Sequence, residues 1–365
     1  MTESVEDVLA AAWSEYQIPG VACAISKKGS NRHVFTTGKL SHQPNSDPVS
    51  RETYFDLASV TKVVTTYQWL LKCVTRGLLT LDTPIRVILP NTVDWLGDVP
   101  IWRLANHTSG LAAHQRYYDD LGPPLLESGR FLDAKNKILT RIMTSKPAYT
   151  PGSRLVYSDL GYILLAEILG RVSAPLSQSW SALYGHSPDH LHWCPSHTTP
   201  TTTAVRQYAS TEQCPWRNRL ICGEVHDDNC WTLGGVAGHA GTFGRVLDVH
   251  DIGEQFLAAY WGAPNRLGID DTLVRKGFEQ PYFYPDSDRV LGWQTRTPGA
   301  SSSGELFSDA SFGHLGYTGT SLWIDPDARV VATVLTNRVC PTRSNESIKT
   351  FRPRLHDALR RLINR

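Results

Sequence analysis

Ser59 and Lys62 stand three residues apart at the start of an apolar run, Val63 to Leu71, that reads as a buried helix. Residues at i and i+3 share a helix face, so this spacing sets a hydroxyl beside an amine. That is a nucleophile with a possible base at its side, the pairing that covalent acyl transfer needs. Lys62 takes the serine proton only when neutral, and burial and the positive end of a helix both press a lysine that way. The spacing alone is weak, since ordinary Ser and Lys frequencies produce it by chance in roughly every few hundred residues.

Two later stretches supply further groups. Tyr157-Ser158-Asp159 stands just ahead of a strongly apolar helix, Leu160 to Val172, whose start Asp159 is placed to cap. His314-Leu315-Gly316 ends a strand-like stretch near the C-terminus. In this order, Ser59-Val60-Thr61-Lys62, Tyr157-Ser158-Asp159 and His314-Leu315-Gly316 resemble the three active-site motifs of the serine β-lactamase/penicillin-binding protein superfamily. The resemblance is strongest to its class C β-lactamase-like branch, which also holds esterases, D-aminopeptidases and muropeptide amidases. Asn106 to Leu111, Pro151-Gly152, Gly223 to Gly241 and Gly316 to Pro326 match that branch too, so the likeness spans nearly the whole chain. Val225-His226-Asp227-Asp228 and Leu335-Thr336-Asn337-Arg338 resemble members tied to cell-wall fragment recycling.

The resemblance implies a role for each matching position. Ser59 is the acylated nucleophile, Lys62 and Tyr157 are the proton-transfer pair, and His314 stands where the family usually places the Lys of Lys-Thr-Gly. The backbone N–H groups of Ser59 and Tyr317 form the oxyanion hole, where each donor is worth about 3 kcal/mol. Asp159, His114 and Gly316 line the substrate pocket, and the mechanism needs no cofactor or metal. Two positions depart from the pattern. Asp159 replaces an Asn, and a carboxylate cannot donate to a substrate carbonyl. His314 replaces a permanent ammonium with a group only partly charged at neutral pH. Both changes predict weaker recognition of a substrate carboxylate.

The expected activity is therefore hydrolysis of an ester or amide, as by an esterase, peptidase or muropeptide amidase. A true β-lactamase or DD-carboxypeptidase is the alternative. A non-catalytic ligand sensor on the same fold is the reading from another class, and intact Ser59, Lys62 and Tyr157 speak against it. The expected partner is a small ester, amide or cell-wall-derived peptide, with no nucleic acid and no membrane.

The elements that must position these groups follow from periodicity. Residues 4–16, 131–145, Leu160 to Val172, Val246 to Trp261 and Phe351 to Ile363 have helical apolar spacing. Val21 to Ser26, Val34 to Gly38, Arg289 to Gln294, Ser311 to His314, Thr320 to Ile324 and Val330 to Leu335 read as strands. Strands at both ends with helices between predict an α/β (α+β) class and a β-lactamase-like fold. Its antiparallel sheet is flanked by the terminal helices and carries a mainly helical insert. One catalytic domain, 1–365, would then divide into 1–58 with 288–365 and a helical part, 59–287.

Bulk properties exclude other classes. The 365 residues are 41% apolar and 19% charged, with net charge +1 and no Lys/Arg run, so a nucleic-acid stripe is not expected. No basic segment leads into an apolar one near Met1, and no window holds 18 uncharged apolar residues. With seven cysteines, an odd number, these features predict a cytoplasmic protein. His190, His192, Cys194 and His197 cluster, and Cys214, Cys222 and Cys230 recur, but neither set has the paired short spacings of a zinc site. His226, Asp227, His239 and the Gly-rich run read as scaffold. No Gly-x-Ser-x-Gly elbow or nucleotide-binding loop occurs.

Overall fold

A computed structural model describes residues 3–174, 191–194, 207–284, 287–297 and 299–364. Its strands are β1 (Gly20–Lys27), β2 (His33–Gly38), β3 (Phe55–Asp56), β4 (His192–Trp193), β5 (Gln213–Cys214), β6 (Arg219–Leu220), β7 (Thr242–Gly244), β8 (Gln294–Thr295), β9 (Phe312–Leu315), β10 (Ser321–Asp325) and β11 (Val330–Thr336). Six of them form an antiparallel sheet in the order β2-β1-β11-β10-β9-β8. The first and last thirds of the chain thus meet at its centre, where Val21 pairs with Thr336 and Lys27 with Val330.

Side chains alternate across a strand, and here the two faces feed two cores. Val21, Cys23 and Ile25 join Trp323, Val330, Ala332 and Val334 under the helices Val5–Ser14 and Ile348–Ile363. Ala22 and Ala24 face the other way with Leu322, Ile324, Val331 and Leu335, against the helix Val246–Tyr260 and the large remaining core. Helices therefore cover both faces, which is why β11 is buried along its whole length and β1 along all but Lys27, rather than on alternate residues. The edge strand β2 is half exposed and correspondingly mixed. Among the described residues no helix is long and apolar enough to cross a membrane.

Most expected elements lie within a few residues of their predicted ends, with four differences. The helix carrying Ser59 opens with a 3₁₀ turn, Ala58–Val60, passes through a π-helical stretch, Lys62–Tyr67, and becomes regular only at Gln68–Thr75. Arg289 to Gln294 is a tight hairpin and not a strand, with a single bridge between those two residues leading into β8. The cap of the helix Asp159–Val172 is Ser158, whose hydroxyl accepts the Gly161 N–H at 3.2 Å. Asp159 is instead the first helical residue. An unexpected helix, Tyr118–Ser128, contains Pro123 and Pro124.

Candidate active site

Ser59 owes its position to an unusual local backbone. Just before it, Ala58 has φ +44°, a left-handed conformation that costs an L-residue about 1–2 kcal/mol. Buried Asp56 holds it there, accepting the Ala58 N–H at 2.8 Å on one oxygen and the His226 N–H at 2.7 Å on the other. Burial raises the Asp56 carboxyl above its ordinary pKa against the pull of those two donors. The strained residue turns the chain from β3, paired with β7, into the helix start that presents Ser59.

Lys62 is fully buried, and its Nζ donates to Ser59 Oγ at 2.9 Å, Asp159 Oδ1 at 2.8 Å and the His239 carbonyl at 3.2 Å. Burial pulls the amine towards the neutral form, but Asp159 and then Tyr157 overcome it, so its pKa lies above the ordinary lysine value. Asp159 is the complement. Burial works against its charge, yet Lys62 and His114 hold the carboxyl far below the usual range. His114, near the surface, sits 3.7 Å from the other Asp159 oxygen and is itself raised by that contact. The sequence predicts a neutral lysine, and the structure pairs it instead. Asp159 is the reason, and it acts as counter-ion where a cap was expected.

Tyr157 is gripped through its neighbours. His107 accepts the Ser158 N–H on Nδ1 at 3.0 Å, and its own carbonyl accepts the Val156 N–H at 2.9 Å. The His107 and Tyr157 rings are 4.4 Å apart, with the His314 ring 6.0 Å from Tyr157 on β9. Burial first, then the positive charge of Arg289 and Lys62, holds both histidines well below their ordinary pKa. His314 is thus neutral. Its Nδ1 donates to the Leu315 carbonyl at 2.8 Å, and its buried Nε2 has no partner among the described residues.

The last wall is the turn after β9. Thr318 Oγ1 donates to the Asp56 carbonyl at 2.7 Å and Thr320 Oγ1 to the Leu57 carbonyl at 2.9 Å, so the turn is bolted to the chain leading into Ser59. Only glycine fits at 316, because a Cβ there would lie 2.0 Å from Thr320 Oγ1 and 2.5 Å from the Leu57 carbonyl. Arg338 fixes the next peptide by donating to the Tyr317 carbonyl at 2.7 Å, and the Tyr317 ring stacks on His226. Among the described residues no acceptor stands against the amide N–H groups of Ser59 and Tyr317. Gly238 lets the Gly-rich run pass close to Tyr162, and it leads to the His239 carbonyl that Lys62 uses.

Ser59, Lys62, Tyr157, Asp159 and His314 therefore converge, with His114 at the margin. His239 bonds Asp227 at 3.0 Å, and His226 bonds Glu212 at 3.1 Å. His192 bonds Tyr208 at 2.8 Å, and His190 and His197 lie outside the described residues. No group of three or more His, Cys, Asp or Glu suited to a metal ion gathers among the described residues. Sequence reasoning missed Asp56, His107 and Arg289. His107 sits in the matched stretch Asn106 to Leu111, but nothing in its spacing shows that it would reach Ser158.

Comparison with known proteins accords with this geometry. The beta-lactamase family profile matches residues 5–353. A Salmonella agona (strain SL483) protein named "Putative D-alanyl-D-alanine carboxypeptidase" is 29% identical over 308 residues, covering 78% of this chain and 69% of the relative. The structure of EstCE1, a hydrolase with promiscuous acyltransferase activity, superposes with TM-score 0.71 at 21% identity, covering 97% of each chain. An octameric penicillin-binding protein homologue from Pyrococcus abyssi gives TM-score 0.73 at 17% identity, covering 99% of this chain and 77% of its own. At such identities the two structures establish a shared fold.

Proposed function

The chain belongs to the beta-lactamase family, and on that premise we propose that it is a serine hydrolase that forms an acyl-enzyme on Ser59 and cleaves a small ester, amide or cell-wall-derived peptide. The observation that carries the reading is the 2.9 Å contact between the Lys62 amine and the Ser59 hydroxyl, made by a lysine that Asp159 keeps charged.

A lysine held as a cation donates to Ser59 Oγ and cannot also take its proton. Tyr157 is the group left to carry that proton. In acylation the Ser59 oxygen bonds to the substrate carbonyl carbon, and its proton passes by way of Tyr157 to the leaving alcohol or amine. The bond to that group then breaks. Negative charge on the carbonyl oxygen falls to the Ser59 and Tyr317 N–H donors and to the field of Lys62. Water repeats the sequence on the ester, giving up one proton and restoring the serine.

A fluorophosphonate probe and p-nitrophenyl acetate test the proposal together. Wild type should be labelled and should release nitrophenol, and Ser59→Ala should do neither. Equal labelling of the two proteins would remove the serine from the chemistry. The name of the Salmonella relative favours peptide over lactam substrates. A chromogenic cephalosporin turned over far faster than the acetate would reverse that order.

A further inference from the structure

Arg352 is a buried cation with no anion beside it. It lies in the first half of the helix Ile348–Ile363, which covers one face of the sheet, and is only 6% exposed. Its Nη2 donates to the Thr320 carbonyl at 3.4 Å, a long bond to an oxygen that already accepts the Gly316 N–H at 2.7 Å. Its buried Nε has no partner, and among the described residues no carboxylate pairs with the guanidinium. Burial, and after it the charge of Arg338, pushes the Arg352 pKa down to about 9, so the group is still charged at neutral pH.

The surroundings bring further donors and no balancing charge. Arg338 is buried too, and its bonds end on the backbone carbonyls of Tyr317, Arg343 and Asn345. His356 stands four residues after Arg352, on the same helix face. Its Nε2 bonds Ser321 Oγ at 3.0 Å, and its buried Nδ1 has no partner. Other buried arginines of this chain are matched. Arg217 pairs with Asp228 at 2.6 Å, and Arg360, on the same helix as Arg352, faces Asp325 at 3.6 Å. An uncompensated buried charge is costly, and a guanidinium does not escape that cost by shedding its proton.

We propose that Arg352 and His356 bind one small inorganic anion, phosphate or chloride, between the helix Ile348–Ile363 and β10. The guanidinium supplies the charge and its Nε–H. His356 supplies a second donor at Nδ1, in the tautomer whose Nε2 accepts the Ser321 hydroxyl. Side chains one helical turn apart, about 5–6 Å between Cβ atoms, span a single ion. Ser321 shares the Trp323 face of β10, whereas Leu57 and Val60, which flank Ser59, pack with Leu322 and Ile324 on the opposite face. The site therefore uses no residue of the Ser59 centre and stands or falls apart from the hydrolase reading.

Thermal melts in sodium phosphate and in sodium chloride, against sodium gluconate at equal ionic strength, test it. Wild type should gain a saturating increment in one or both, about 3 °C at a hundred times the dissociation constant. Arg352→Met should lose that increment and, in gluconate, melt no lower than wild type, because an apolar side chain replaces an unpaired charge. Phosphate also stabilises proteins generally by exclusion from their surface, an effect that does not saturate and is shared by both proteins. Equal responses of the two proteins overturn the proposal, as does an Arg352→Met protein several degrees less stable in gluconate. Should that variant fail to fold, calorimetric titration of wild type and His356→Phe with each salt decides. Heat saturating at one ion per chain, with affinity about tenfold weaker in the variant, supports the site. No saturating heat in wild type, or equal affinity in both, removes it.

Discussion

At the Lys62 amine two large effects oppose each other. Full burial would strip the proton, and an adjacent carboxylate at 2.8 Å keeps it on. Because the amine is raised above the ordinary value, its charge and the stability tied to it persist below that range and fade only as pH climbs through the raised pKa. Asp159→Asn removes the opposing carboxylate, so the amine should lose its proton at lower pH and the alkaline limb of kcat/KM should move acidward. A rate profile from pH 5 to 10 checks this, and an unmoved limb would detach the pair from catalysis. The same variant leaves a buried cation without its partner, a change on the order of 3 kcal/mol, and should melt several degrees lower. At this scale the sequence was informative about identity and silent about state. Ser59, Lys62 and Tyr157 were legible because their spacing repeats a family pattern. The protonation of Lys62 was not, because it depends on a side chain 97 residues away. Arg289 was invisible for a similar reason, since it belongs to no motif and reaches the site only through the fold.

Between residue and molecule stand short connecting segments, and they set where the Ser59 and Tyr317 N–H groups, the proposed oxyanion donors, stand. The turn after β9 and the residues before Ser59 are held together by two threonine hydroxyls on two carbonyls, across a gap only glycine permits. Gly316→Ala should force that turn outward and misplace the Tyr317 N–H. We expect kcat to fall about a hundredfold, the cost of one oxyanion donor, with far less change in KM. Matched steady-state kinetics decide the matter, and an unchanged kcat would free Tyr317 of the role. His107→Leu should loosen Tyr157 by removing the acceptor for Ser158, with acylation slowed more than substrate binding in single-turnover measurements. Regular elements were readable from periodicity, as β1, β11 and the helix Phe131–Met143 illustrate. Irregular ones were not. The 3₁₀ and π turns around Ser59, the hairpin at Arg289 and the proline-bearing helix Tyr118–Ser128 are all set by tertiary contacts, which overrule local propensity.

Across the whole molecule, buried charge sets the response to acid. Burial raises the Glu212 carboxyl, but His226 and Arg343 override it and hold the group at about 2. Glu254, bonded by His250, Arg32 and Ser26, also sits at about 2 despite its burial. Carboxyls depressed in this way contribute stability above their unfolded pKa and lose it as pH falls towards 2. His356, which bonds Ser321, is pushed down to about 3 by burial and Arg352, so below pH 6.5 the unfolded chain takes a proton that the folded one refuses. All three act in one direction, and the melting temperature should drop steadily from pH 6 to pH 3. Glu212→Gln should flatten that slope by roughly 2 kcal/mol over the range. Thermal melts in a pH series measure it, and parallel slopes for the two proteins would show that the cluster is not the acid sensor.

The pairing of β1 with β11 has a consequence in time. The Gly20 N–H bonds the Asn337 side chain, 317 residues further on. At ribosomal rates of about 5–20 residues per second, β1 waits roughly 15–60 s for its partner to be made. Throughout that interval an apolar strand has one edge unpaired, and Ser59 has no β9 turn beside it. Synthesis thus withholds the active centre until almost the last strand emerges.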